Sequence, residues 1–197
     1  MTFNSYSIYR RARLVGPAFF SFLVLSVVVS SCATMSGDPE SAKTHLVAGV
    51  PFFAQEKDRC GPASLAGVMN YWKIGVSPDE ISQAIFSESA RGTLDIDMIV
   101  FPQKRGLRAE QYSGGMTDLR EEIDNGYPLV VLVDYGFWVY QKEHYMVIVG
   151  YYDKGIIANS GTVRGEFIPE NDFLKAWEKT NFWTLLIKPN VRTNNER

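Results

Sequence analysis

The sequence predicts an α+β domain, helices first and a mostly antiparallel sheet second. Between Gly61 and Gly126, apolar residues recur at helical spacing behind capping residues. After Pro128 they form short continuous runs separated by turn residues, the pattern of buried strands. Composition supports a packed core: 46% of residues are hydrophobic, with 12 Phe, 10 Tyr and 4 Trp.

The elements follow in order. Val47 to Gln55 reads as extended. Gly61 to Lys73 reads as a helix with Leu65, Val68, Met69 and Trp72 facing the core. Ser77-Pro78-Asp79-Glu80 opens a second helix, with an N-cap Ser, Pro at the first helical position and Glu completing a capping box. Thr93 is expected to cap a third helix running to about Gln103. Thr117 is expected to cap a fourth, ending near Asn125-Gly126. Strands are expected at Pro128–Asp134, Tyr145–Tyr152, Ile156–Asn159, Arg164–Ile168 and Phe182–Ile187. The helix Asn171–Thr180 is expected to pack on the sheet.

The N-terminus reads as an address. Arg10, Arg11 and Arg13 precede an apolar run from Leu14 to Val29, and small residues lead into Cys32. The run is short for a spanning helix, which needs about 20 apolar residues. Val29-Ser30-Ser31-Cys32 resembles the lipobox of bacterial lipoproteins. That resemblance implies cleavage before Cys32 and acylation of it, where each buried methylene contributes roughly 0.8 kcal/mol of membrane affinity. Ala33 rather than Asp follows the cysteine, which by resemblance to lipoprotein sorting favours the outer membrane, facing the periplasm. The expected organisation is a signal peptide over 1–31, a flexible tether over 32–46, one domain over 47–189 and a polar tail over 190–197.

Several function classes drop out. A net charge of -2 gives no dense basic face for nucleic acid. Two cysteines make no disulfide scaffold. Two histidines and one remaining cysteine lack metal-ligand spacing, and no nucleotide-binding glycine pattern is present. No cofactor or metal is expected.

The chemistry-bearing residues are few. Cys60 sits at a helix start, where the partial positive charge favours a thiolate. His144 opens an apolar strand, and an imidazole there can take a thiol proton. Gln55 can aim its amide at an oxyanion beside the Cys60 backbone N–H. Asn159 lies on the next strand and can accept from the second imidazole nitrogen, with Ser160, one residue on, and Asp153, in the turn-like string Tyr152-Asp153-Lys154-Gly155, as competitors. Phe137, Trp138 and Tyr140 fit either a cleft wall or the core.

Taken together, Val50-Pro51-Phe52-Phe53-Ala54-Gln55, Cys60-Gly61-Pro62-Ala63-Ser64-Leu65, Asn70-Tyr71-Trp72 and the strand from His144 to Tyr151 resemble the bacteriocin-processing, double-glycine leader peptidase family. The resemblance implies a papain-like fold with Cys60 as nucleophile, His144 as base and acid, and Gln55 as oxyanion donor. The family usually has Asp at the third position, where this chain reads Ala158-Asn159-Ser160-Gly161, and Asn159 is preferred. The expectation is an exported, lipid-anchored cysteine peptidase acting on a peptide or protein substrate. Two other readings remain: a cell-wall peptide amidase of the same broad fold, and a catalytically impaired peptide-binding lipoprotein.

Overall fold

A computed structural model of the chain describes residues 44–55, 58–90 and 92–190. The expected signal peptide, Cys32, most of the expected tether and the tail beyond residue 190 lie outside them. No described helix is long and apolar enough to cross a membrane.

The first half is helical. Helix α1 spans Cys60–Tyr71, and all residues from Gly61 to Met69 are buried. A helix apolar nearly all round belongs inside a domain, and small residues let it fit there. A Cβ built at Gly67 would lie 2.9 Å from the Pro51 carbonyl oxygen and 3.9 Å from Cγ2 of Val147. Helix α2 spans Pro78–Ile85, and Oγ of Ser77 accepts from the Glu80 N–H at 3.1 Å as its spacing predicts. Helix α3 spans Asp95–Lys104 and α4 spans Met116–Asp124.

The expected Thr caps are displaced. Leu94 is the N-cap of α3, while Thr93 pairs with Phe86 in a small two-stranded sheet, β2 (Phe86–Ser87) with β3 (Gly92–Thr93). Gly115 is the N-cap of α4, and Thr117 falls inside its first turn. In both helices the first turn carries acidic residues that complement the helix dipole, Asp95 and Asp97 in α3 and Asp118 in α4.

The main sheet has seven strands, all antiparallel, in the order β4 (Leu107–Ser113), β9 (Trp183–Pro189), β5 (Leu129–Asp134), β6 (Glu143–Tyr152), β7 (Gly155–Ser160), β8 (Val163–Pro169). The seventh, β1 (His45–Leu46), pairs with β6 at Gly150 and Tyr151. His45 falls within the stretch 32–46 expected to be a flexible tether. It instead stacks on Tyr151 and pairs with the Asp124 carboxylate, so the folded domain begins earlier than Val47. Strand β4 carries no strong apolar run and was not read from the sequence.

Every residue of β5 is buried, as are Tyr145 to Gly150 of β6. Both faces of the sheet are therefore covered, not one. Val147 faces α1. Strand alternation puts Tyr145 on that side and His144, Met146 and Ile148 on the other. That other side carries helix α5 (Glu170–Glu178), whose Asp172 lines one hollow with His144. Met146 and Ile148 are fully buried there, each stabilising the fold by roughly 1.5–3 kcal/mol.

Candidate active site

Cys60 is the first residue of α1 and a free thiol, half-buried. The N-cap residue, Arg59, has no side-chain oxygen to satisfy the first helical amides. The sulfur faces the N–H groups of Tyr145, Gly61 and Cys60 itself. Those donors favour the thiolate, but burial outweighs them and Asp58 adds a like charge, so the thiol lies above its ordinary value.

Gln55 approaches the same place. Its Nε2 donates to the Tyr145 carbonyl at 3.5 Å, a long bond that a better acceptor can displace, and its Oε1 is buried without a hydrogen-bond partner. Two expected site residues thus converge on the backbone of Tyr145, one on each of its polar groups. The third, His144, immediately precedes it.

The imidazole itself is engaged elsewhere. Nε2 of His144 lies 3.1 Å from Oγ of Ser160. Burial, then the nearby Lys142 ammonium, lower its pKa to about 4. At neutral pH both members of the pair are uncharged, where the sequence argument expected a thiolate–imidazolium pair.

Asn159 does not meet His144. It stands opposite Val147, on the α1 side of the sheet, and its Oδ1 accepts from the Gly165 N–H at 3.0 Å. The cause is a β-bulge. Near the turn, Tyr152 opposes Gly155 and Gly150 opposes Ile157; beyond the irregularity at Val149, Ile148 opposes Ala158. Without the extra residue Ile148 would oppose Asn159, which would then share the His144 side. The bulge moves every later residue of β7 by one place, and Ser160 takes the position.

Two hollows flank the start of β6. One, about 810 Å³, contains Cys60 and Tyr145 between the β3–α3 junction and the loop entering β6. The other, about 410 Å³, contains His144, Ser160, Glu166 and Asp172. Glu143 and Lys142 border both. The Tyr145 hydroxyl donates to Oδ1 of Asp95 at 2.5 Å, which ties the start of α3 to the cleft floor. That contact was not legible in the sequence, because it depends on which strand packs against which helix end. Among the described residues, no cluster of three or more His, Cys, Asp or Glu is placed to hold a metal ion.

Residues 47–184 match the family model described as the Peptidase_C39 like family. The chain belongs to that family. Its fold matches solved C39 domains over almost their whole length. The peptidase domain of Streptococcus ComA, a bifunctional ABC transporter of a quorum-sensing pathway, superposes with a TM-score of 0.61 at 21% identity, covering 72% of this chain and 100% of that one. A putative C39-like peptidase from Bacillus anthracis gives 0.62 at 15% identity, covering 75% and 98%. A double-glycine-motif protease from an AMS/PCAT transporter, solved with its leader peptide, gives 0.60 at 22% identity, covering 73% and 94%. Among curated proteins none matches. The papain-like C39 architecture expected from the sequence is thus the one observed, and a cysteine peptidase fold follows from it.

Proposed function

We propose that this C39-like domain is a cysteine peptidase in which Cys60 attacks a peptide carbonyl. The observation that carries the reading is the convergence of the Cys60 thiol and the Gln55 amide on the backbone of Tyr145, beside His144. In the tautomer whose Nε2–H donates to Ser160, Nδ1 is left to receive the thiol proton, which passes around the start of β6 from the hollow of Cys60 to that of His144. The S–C bond forms as that proton moves to Nδ1 and the carbonyl π pair goes to oxygen. Nε2–H of Gln55 and the Cys60 N–H hold the oxyanion, donors that together are worth a few kcal/mol in the transition state. Collapse expels the amine, which takes its proton from Nδ1. Water, deprotonated by His144, then cleaves the thioester and returns the thiol.

Because the resting pair is neutral, His144 acts as a general base during attack, not as the standing partner of a thiolate. The neutral hydroxyl of Ser160 fits that role: it orients the ring without stabilising an imidazolium. The same observation favours a second reading, a peptide-binding domain that has lost turnover, because a hydroxyl supports the cationic intermediate less than a carboxylate does.

The lipobox-like Val29–Cys32 supports export and anchoring through acylated Cys32, with the domain in the cell envelope. Metabolic labelling with a radioactive fatty acid tests it: label on the wild-type chain and none on Cys32→Ser is expected, and equal labelling rejects it. Activity is tested by incubating the full chain with a proteome-derived peptide library and sequencing the products by mass spectrometry. Cleavage by wild type and none by Cys60→Ala is expected. No cleavage by either leaves the binding reading in its place.

A further inference from the structure

The loop joining β5 to β6 is built to display apolar side chains. Oδ1 of the buried Asp134 accepts from the N–H groups of Gly136 and Lys142, both at 2.7 Å, and closes its base. Lys179 donates to the Gly136 carbonyl at 2.7 Å. A Cβ at Gly136 would lie 1.9 Å from the Tyr140 carbonyl oxygen, so only glycine lets the two limbs close. Phe137 and Tyr140 bridge across the tip. The tip stands in water: Phe137 is 86% exposed, Trp138 91%, Val139 83% and Tyr140 71%. Trp138 adopts a left-handed backbone, φ 56°, which an aromatic residue takes only at a cost in strain. Four adjacent apolar groups held out by a braced turn form the kind of patch that marks a docking surface.

The patch is continuous with the Cys60 cleft, because Tyr140 lines both. Across the cleft stand Leu94 and Ile96, 47% and 59% exposed. Between these apolar walls, the described lining residues include three carboxylates, Asp58, Asp95 and Glu143, against the single ammonium of Lys142. Among the described lining residues the carboxylates thus outnumber the ammonium, a balance that favours a cation over an acidic side chain.

A membrane is the other candidate for an exposed aromatic tip. The carboxylates beside the tip argue against it, because they oppose anionic lipid headgroups.

We propose that the cleft selects peptides carrying bulky apolar side chains next to Lys or Arg, the apolar groups seating on Phe137, Trp138 and Tyr140 and the cation between Asp58 and Glu143. This names the substrate class of the peptidase proposed above and rests on that reading.

The test separates binding from turnover. The full chain carries Cys60→Ala, which blocks cleavage, and Cys32→Ser, which removes any acyl anchor. Fluorescein-labelled octapeptides of three kinds are titrated by anisotropy: Leu/Phe with Lys/Arg, Leu/Phe with Glu, and Ser/Gly with Lys/Arg. The first is expected to bind at least tenfold tighter than either other. Trp138→Ser, at a site too exposed to threaten the fold, is expected to weaken the first about tenfold. Asp58→Asn, tolerated in the left-handed conformation of Asp58 (φ 61°), and Glu143→Gln are expected to shrink only the preference for Lys over Glu. Equal affinity for all three peptides, or an unaffected Trp138→Ser protein, overturns the inference. So does a blue shift of tryptophan emission on phosphatidylglycerol vesicles that Trp138→Ser abolishes while no peptide binds, since the tip then docks to lipid. Tight, selective binding of a peptide that the wild-type chain leaves intact upholds the inference and refutes the peptidase reading alone.

Discussion

Replacing Ser160 with Asp places a carboxylate where Oγ now lies 3.1 Å from Nε2 of His144. At about 4 Å and an effective dielectric near 20, two unit charges attract by about 4 kcal/mol. Desolvating the new carboxylate offsets part of that, and a charge partner at this distance typically moves a pKa by about one to three units. His144, held at about 4 by burial, is therefore expected to titrate near neutrality in Ser160→Asp. Two histidines in the chain make the assay simple. Their ring resonances are followed by NMR against pH, and His45→Gln assigns them. Asn159→Asp is the control, because its side chain lies on the opposite face of β6–β7 and should move His144 little. If Asn159→Asp raises the His144 midpoint and Ser160→Asp does not, the bulged register is wrong and the sequence preference for Asn159 stands.

Other outcomes follow from the same electrostatics. The Cys60 thiol is raised by burial, so the midpoint of its alkylation by iodoacetamide should lie above the ordinary thiol value of about 8.5; a midpoint near 6 would mean a standing ion pair. His144 has its pKa lowered from 6.5 to about 4, so the unfolded chain binds the proton first as pH falls. Stability is then full above about pH 6.5 and declines toward pH 4, by at most about 3 kcal/mol. Urea denaturation at pH 7.5 and 4.5 measures it, and His144→Phe should flatten the slope; an unchanged slope in that variant would assign the acid sensitivity to other groups. Peptidase activity should rise through the low-pH limb and show no falling limb below about pH 9, since attack uses a neutral imidazole. A bell centred near pH 6 would contradict the neutral pair.

Much of the fold was legible where local chemistry decides it. Ser77 and Pro78 placed the start of α2, and the runs at Leu129–Asp134 and Tyr145–Tyr152 read as the buried strands they are. The displaced Thr caps show the limit of that reasoning. Thr93 is a sound N-cap residue, but pairing with Phe86 claimed its backbone for β3, and the helix began two residues later. His45 reads as part of the tether because its partners, Tyr151 and Asp124, are remote in sequence. The site divides in the same way. Cys60, Gln55 and His144 were visible from residue type and order. The identity of the group facing His144 was not, because it depends on one extra residue at Val149. No residue type at that position announces a bulge, and a single place of register exchanges an amide for a hydroxyl.

The central claim is that Cys60 is acylated by a peptide with the help of His144. The most direct measurement is intact-protein mass spectrometry after mixing the chain with a peptidyl ester of the Leu/Phe–Lys type and quenching in acid within seconds. The account predicts an adduct of one acyl group, mapped to Cys60, reduced at least a hundredfold in rate by His144→Ala and absent from Cys60→Ala. No adduct on wild type, or one forming equally fast without the imidazole, would contradict it.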